Sequence, residues 1–336
     1  MKLPNKHPKI PTRKTGVLLV NLGTPDSTKW WDIRKYLKEF LSDKRVIEVN
    51  PILWQIILNV FILTFRPSKT AKAYKKIWMK KQDMSPLRYF TKRQTINLRE
   101  RIRNKRTEID YAMRYGNPSI KSKLMDLKVK GCQEIVILPL YPQYAAATTA
   151  TVCDEVYRTL MQMRWQPSIQ IIPHYESEPL YIKALEKSIK KTLKQITWKP
   201  DVIVASYHGI PQKYFDKGDP YHCYCQKTTR LLKEHMKTDI PIITTFQSRF
   251  GPEEWLKPYT DETIDNLPKE GNKKILVICP GFASDCVETL EEISIEAKES
   301  FIENGGEKFL TVPCLNDEKE HIDLFEHLVK KHLIGR

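Results

Sequence analysis

Short apolar runs recur along the chain, separated by longer segments whose apolar residues fall at helical spacing. Residues 202–205 (VIVA) are the clearest run: unbroken, β-branched, and ended by Ser206-Tyr207-His208-Gly209 with Pro211 just beyond. Such a run reads as a strand buried on both faces, the habit of parallel sheets. Residues 16–20 (GVLLV), 134–140 (EIVILPL) and 275–279 (ILVIC) read the same way, and 109–115 (IDYAMRY) alternates as a strand ending at Gly116. Helical patterns over 30–41, up to 103, over 119–128 and up to 163 separate the strands of the first half. The pattern restarts with a strand at 169–172 and a helix at 178–194, and after strand 202–205 come helix 226–235 and strand 241–245. A helix from Asp285, a break at Gly305-Gly306, a strand at 308–312 and an amphipathic helix over 318–333 finish the chain.

Strands alternating with helices predict an α/β fold with parallel, doubly wound sheets. Two successive sets of about four strands predict two similar Rossmann-like halves, flanked by helices, with a cleft between them. The expected division is 1–165, joined by the C-terminal segment 309–336, and 166–308. Residues 1–15, basic and proline-containing, read as a loose arm.

Residues 51–65 (PILWQIILNVFILTF) stand apart. Ile52, Ile56, Ile57, Val60 and Leu63 form an ordinary buried face, yet Trp54, Leu58, Phe61, Ile62 and Phe65 make the segment apolar nearly all round. It is either a fully buried helix or an exposed lip resting on a membrane. Interrupted by Gln55 and Asn59, it falls short of the roughly 20 residues that a span requires.

The length of 336 residues suits two cores, and 41% hydrophobic with 10% aromatic residues excludes a disordered chain. A net charge of +16 invites anionic partners, but the basic residues are scattered, and no basic-aromatic nucleic-acid module is present. No nucleic-acid partner is therefore expected. Seven cysteines, widely spaced except Cys223 and Cys225, and no signal peptide at the N-terminus point to free thiols in the cytosol. Asn21-Leu22-Gly23 follows the first strand with too few glycines for a dinucleotide fingerprint.

In open α/β sheets, ligands bind just past the carboxyl ends of strands. His208 sits at such an end, although a loop histidine alone more often caps a turn. Asn21, Arg114, Tyr115, Tyr141 and the 245–250 loop also follow strands, so their polar groups can converge on one cleft. After Cys279 comes CPGFASDCVETLEEISIE, in which Ser284 or Asp285 can cap a helix. Glu288, Glu292 and Glu296 recur every four residues and would line one α-helical face. That ladder is either a solvated acidic face or a column passing protons or a hard divalent cation.

These segments together resemble the ferrochelatases, closely the protoporphyrin-using enzymes of Gram-negative bacteria. The likeness runs from about 16 to 333 and includes LLVNLGTPD (18–26), FLSDKRV (40–46), MSPL (84–87), MRYG (113–116) and LPLYPQY (138–144). It continues in SYHGIPQ (206–212), GDPY (218–221), TFQSRFGPEEWLKPYTDET (245–263) and CPGFASDCVETLEEI (279–293). The resemblance implies a chelatase-type fold and insertion of Fe2+, as substrate, into protoporphyrin IX to give protohaem, with release of two protons. It implies that His208 and Glu288 form the catalytic and metal-binding pair, and that Glu292 and Glu296 continue a proton or metal path. Leu22, Arg114, Tyr115, Tyr141, Trp255 and Phe282 would line the porphyrin cleft, with Asp285 and Ser206 in support. A neutral imidazole can either accept a pyrrole proton or ligate Fe2+ transiently. Residues 51–65 would then be the lip that admits a greasy substrate at a membrane surface.

The resemblance also sets expectations by departure. Animal relatives hold a 2Fe-2S cluster through a cysteine in the YPQY loop and three near the C-terminus. Here the loop carries Ala146 and no cysteine lies beyond Cys314. Cys223 and Cys225 are the only suggestive pair, and a lone C-x-C falls short of four thiolates, so no cluster is expected. Cys286 stands where animal enzymes carry histidine and reads as a small buried thiol. The alternatives are a coproporphyrin III ferrochelatase and a non-catalytic tetrapyrrole carrier. The expected state is a cytoplasmic monomer or weak dimer, peripheral at the inner face of the membrane.

Overall fold

The apolar runs become strands because each is covered on both faces: Val17, Leu18, Leu19 and Val20 are all fully buried. The chain, seen in a computed structural model, is described over residues 13–333. Of the arm expected at 1–15, residues 1–12 lie outside the described residues, while Lys14 and Thr15 open the first strand. The strands are β1 (Lys14–Thr24), β2 (Thr107–Gly116), β3 (Cys132–Pro139), β4 (Ser168–Ile171), β5 (Val202–His208), β6 (Ile242–Gln247), β7 (Lys274–Ile278) and β8 (Lys308–Thr311). They form two four-stranded sheets, ordered β2-β1-β3-β4 and β6-β5-β7-β8, and every pairing is parallel.

This topology moves the expected division between the halves. β4 does not open the second set but closes the first sheet, and β8 belongs to the second sheet through β7. Edge strands of four residues carry little pattern of their own, so pairing decides their sheet. One buried cluster runs through both halves, from Val17 and Val136 to Ala205, Tyr207, Leu276 and Phe325.

A polar knot ties the halves behind the cleft. Helices α1 (Trp30–Leu41), α2 (Pro51–Ile57), α3 (Leu63–Ile77) and α4 (Pro86–Ile102) belong to the first half. From α4, the buried amide of Gln94 donates to the carbonyls of Ala283 and Asn316 (3.0 and 2.8 Å) and to Ser284 Oγ (3.0 Å). Asn316 also exchanges two bonds with Asp285 (2.8 and 2.7 Å), and its carbonyl accepts from His321 Nδ1 (2.7 Å). His321 opens onto the C-terminal helix Lys319–Leu333, which packs on α4 and on the helix Pro179–Leu193.

The apolar segment is one arm of a much longer element than the sequence suggested. α2, a π-helical turn over Leu58–Ile62 and α3 run on as one helix, Pro51–Ile77, of 27 residues. Asn50 caps its start, accepting from the amides of Ile52 and Leu53 (3.0 and 3.2 Å), with Pro51 at the first position. Asn59 and Thr64 side chains donate to the carbonyls of Gln55 and Val60 (both 2.7 Å), serving groups that the wider turn loosens. Leu58, Leu63, Pro67, Ala71 and Tyr74 are buried, while Ile52 (77%) and Phe65 (73%) are the most exposed of a row that includes Leu53, Ile56, Val60 and Phe61.

His321 makes the knot acid-sensitive. Its ring is fully buried, and burial pushes its pKa down from 6.5 to about 4, so the folded state holds it neutral. Stability from this site is present above pH 6.5 and is lost as pH falls towards 4, by at most about 3 kcal/mol. His321→Gln, which can still donate to Asn316 but cannot charge, should flatten that acid slope in denaturant titrations. An unchanged slope would refute the assignment.

Candidate active site

β5 delivers His208 to its carboxyl end, in register with Gln247 of β6. His208 Nδ1 lies 2.7 Å from the Gly209 carbonyl oxygen, which can only accept. The proton therefore sits on Nδ1, and in the neutral ring Nε2 keeps its lone pair. The ring lies between Trp255 and Phe282, with centroids 6.4 and 6.5 Å away. Trp255 is anchored by its indole N–H to the Phe250 carbonyl (3.0 Å).

Gly209 is needed for close approach. A Cβ there would lie 3.0 Å from the Trp255 ring and 3.1 Å from the Gln247 carbonyl oxygen. That carbonyl accepts from the Gly209 N–H (2.8 Å), which holds the backbone leaving His208.

The buried Gln247 side chain joins this strand end to the acidic segment. Its Nε2 donates to the Glu288 carbonyl (3.0 Å) and weakly to Glu292 (3.4 Å). Its Oε1 accepts from Ser206 Oγ (2.8 Å), which also contacts Thr260 Oγ1 (2.8 Å), itself bonded to Thr245 (2.8 Å). Ser206 thus acts below the cleft, through Gln247.

The acidic segment is a π-helix, Glu288–Ala297, rather than the α-helix its four-residue spacing suggested. Hydrogen bonds to the fifth residue widen the turn, so residues five apart become neighbours. Glu291 and Glu296 are such a pair: their carboxylates lie close enough to interact, and Lys76 of α3 binds Glu291 (2.7 Å). The expected three-rung ladder is therefore redistributed. Glu288 and Glu292 stay together near His208, while the exposed Glu296 pairs outward with Glu291.

Glu292 accepts from the Ser248 amide (2.7 Å) and hydroxyl (2.5 Å), with Ser248 in a left-handed conformation (φ 65°). Burial lifts the Glu292 carboxyl above its ordinary range; the Ser248 donors and His208 pull against this, and the Glu288 charge adds to it. Glu288 faces the buried phenols of Tyr36 and Tyr74 from α1 and α3. Burial first, then the Glu288 charge, push the Tyr74 phenol well up. Among the described residues, no three or more His, Cys, Asp or Glu side chains close into a compact metal cage.

The remaining predicted residues differ in burial and in partners. Leu22 is partly buried at the end of β1, and Phe282 lies beside the histidine. Tyr141 is buried with a hydroxyl that has no partner among the described residues. Tyr115 is fully buried, and its hydroxyl donates to Asp43 (2.9 Å). Arg114 stacks on the Tyr115 ring (4.3 Å), pairs with Asp43 and donates to the Thr151 carbonyl (2.8 Å). Asp43 thus takes a polar group of each. Asp285 does not cap the helix: it holds the Cys314 amide, Thr289 and Asn316. Cys223 is exposed and Cys225 buried, two apart on the helix Tyr221–Met236, so they point to different sides. Gln247 and Ser248 lay inside the recognised 245–250 loop but were not singled out. Tyr36 and Tyr74 carried no signal beyond ordinary helical core spacing.

Two parallel α/β halves with a histidine and carboxylates at strand ends define a chelatase-type fold. The whole chain matches solved SirB from Bacillus subtilis with Fe3+ at a TM-score of 0.55, with 12% identity over 96% of each chain. At that identity the likeness concerns the fold alone. The sequence comparison goes further: the family model Ferrochelatase matches residues 14–333. Ferrochelatase of Agrobacterium fabrum is 52% identical over 335 residues, 99% of this chain and 97% of that protein. Ferrochelatase of Rhizobium meliloti is 52% identical over 337 residues, 100% of this chain and 99% of that protein. The chain belongs to the ferrochelatase family.

Replacing Gln247 by Leu would strand the Ser206 hydroxyl and the Glu288 carbonyl in a buried setting. We expect a loss of about 1–3 kcal/mol in denaturant unfolding, with activity falling further than stability explains. Wild-type stability in the variant would show that the amide ties nothing together.

Proposed function

We propose that this protein inserts Fe2+ into protoporphyrin IX to give protohaem, releasing two protons, as the terminal step of haem biosynthesis. Family membership makes it a metal chelatase, a lyase. The observation that carries the substrate-level reading is the His208 tautomer. With Nδ1–H donated to Gly209, the Nε2 lone pair is kept for the cleft, beside the Glu288 and Glu292 carboxylates.

In this reading Fe2+ and the porphyrin are both substrates. Carboxylate oxygens suit the passage of a hard dication, and the open arrangement of Glu288 and Glu292 favours transfer over retention. Glu296 at the surface would start that path. His208 Nε2 would take a pyrrole proton as the metal–nitrogen bonds form, and the carboxylates would accept the other. Trp255, Phe282, Leu22 and Tyr141 would hold the macrocycle by apolar contact, binding energy that can favour a bent ring.

The lip supports protoporphyrin over the more polar coproporphyrin, since a row of exposed apolar side chains suits a membrane-partitioned substrate. Pro51–Ile77 is, by length and composition, the one described helix able to cross a membrane. Its buried row, Leu58, Leu63, Pro67, Ala71 and Tyr74, commits one side to protein. We therefore read it as lying in the bilayer interface, with a cytoplasmic enzyme held peripherally at the inner face of the membrane.

Anaerobic mixing with protoporphyrin IX and Fe2+, or with Zn2+, followed by the porphyrin absorption bands, tests the reading. Metallation should be fast with protoporphyrin and slower with coproporphyrin III. His208→Ala should lose about a hundredfold or more in kcat while still binding porphyrin. Faster coproporphyrin turnover would move the enzyme to the other substrate branch. Tight protoporphyrin binding without metallation would make it a carrier.

A further inference from the structure

We propose that the protein docks specifically on anionic bilayers, through a basic collar that continues the apolar lip along the same helix. This rests on the membrane reading above and adds the lipid class to it.

The helix Pro51–Ile77 changes character along its length. Its first part exposes Ile52, Leu53, Ile56, Val60, Phe61 and Phe65. Beyond it exposed cations predominate, among them four lysines: Lys72 and Lys75 in α3, and Lys80 and Lys81 just after it, before the exposed Asp83. None of these four lysines has a carboxylate within ion-pair distance among the described residues, whereas Lys76 beside them is bound to Glu291. These lysines stand next to a row of exposed apolar side chains, while the carboxylates of Glu291 and Glu296 nearby are engaged with Lys76.

The spacing fits a lipid surface. At 1.5 Å per residue, Lys72 and Lys75 lie about 10 and 15 Å along the axis from Phe65. Interfacial helices bury their apolar face about 5–10 Å into the boundary between headgroups and acyl chains. With the apolar part seated at that depth, the lysines reach the phosphate layer and their stems cover adjoining apolar surface. A second copy of the chain fits less well, because an isologous contact would set one basic collar against another, in a molecule already at +16.

Flotation of the full-length protein with vesicles of phosphatidylcholine alone, or with added phosphatidylglycerol, tests this. Binding should require the anionic lipid and weaken as salt is raised. The triple substitution Lys72→Gln, Lys75→Gln, Lys80→Gln should weaken it about a hundredfold while leaving turnover of detergent-dispersed porphyrin unchanged. Substituting Ile52, Leu53 and Phe61 by Ser should remove binding to every vesicle. Equal binding to neutral and anionic vesicles would overturn the collar and leave the membrane reading standing. Absence of binding to either would overturn both.

Discussion

The parallel pairing of β5 with β6, carried one residue past its end by the Gly209 N–H to Gln247 carbonyl bond, is the constraint on which the site depends. That bond holds the backbone entering Gly209, and the carbonyl on the far side of Gly209 accepts His208 Nδ1–H. The side chain of the same glutamine reaches the Glu288 carbonyl and Glu292. One residue thus sets the imidazole and the carboxylates relative to each other. No β-carbon fits at position 209 without displacing the Trp255 ring or the Gln247 carbonyl.

The electrostatics follow from how the carboxylates are distributed between protein and solvent. Glu292 is desolvated and held by Ser248, and Glu288 faces two buried phenols. Glu296 is exposed and shares its outer position with Glu291 and Lys76. The carboxylates thus stand in different settings along the segment, which a uniformly solvated acidic face would not produce. Holding like charges together with partial desolvation opposes folding, so the surrounding donors must offset it. The wider π turn makes this arrangement possible by moving Glu296 out of line with the inner pair.

Rigidity and exposure are separated across the molecule. Behind the cleft, Gln94, Asp285, Asn316 and His321 form a buried knot that fastens the first half, the second half and the C-terminal helix together. In front, the lip helix is anchored by one buried row and by Lys76, with Arg66 lying over the Phe250 ring (5.5 Å) of the opposite half. The buried polar knot on one side thus contrasts with the exposed apolar row on the other.

Most of the architecture was legible in the sequence because buried parallel strands are local signals. Runs such as VIVA and GVLLV, each ended by glycine, proline or polar residues, located the strands without knowledge of their partners. His208 was equally legible, since a histidine at a strand's carboxyl end with proline close behind is a statement about one short segment. What the tertiary structure decided were matters of pairing. β4 and β8 changed sheets because strands of four residues carry no pattern that names a neighbour. The acidic helix adopts π geometry although its four-residue spacing suits an α-helix, and Gln247 and Ser248 join it to another strand end. Arg114 and Tyr115 are both tied to Asp43, some 70 residues away in sequence, which no local pattern announces. Chain-local physics thus determined the elements and their chemistry. Contacts between residues far apart in sequence determined which groups stay free to act.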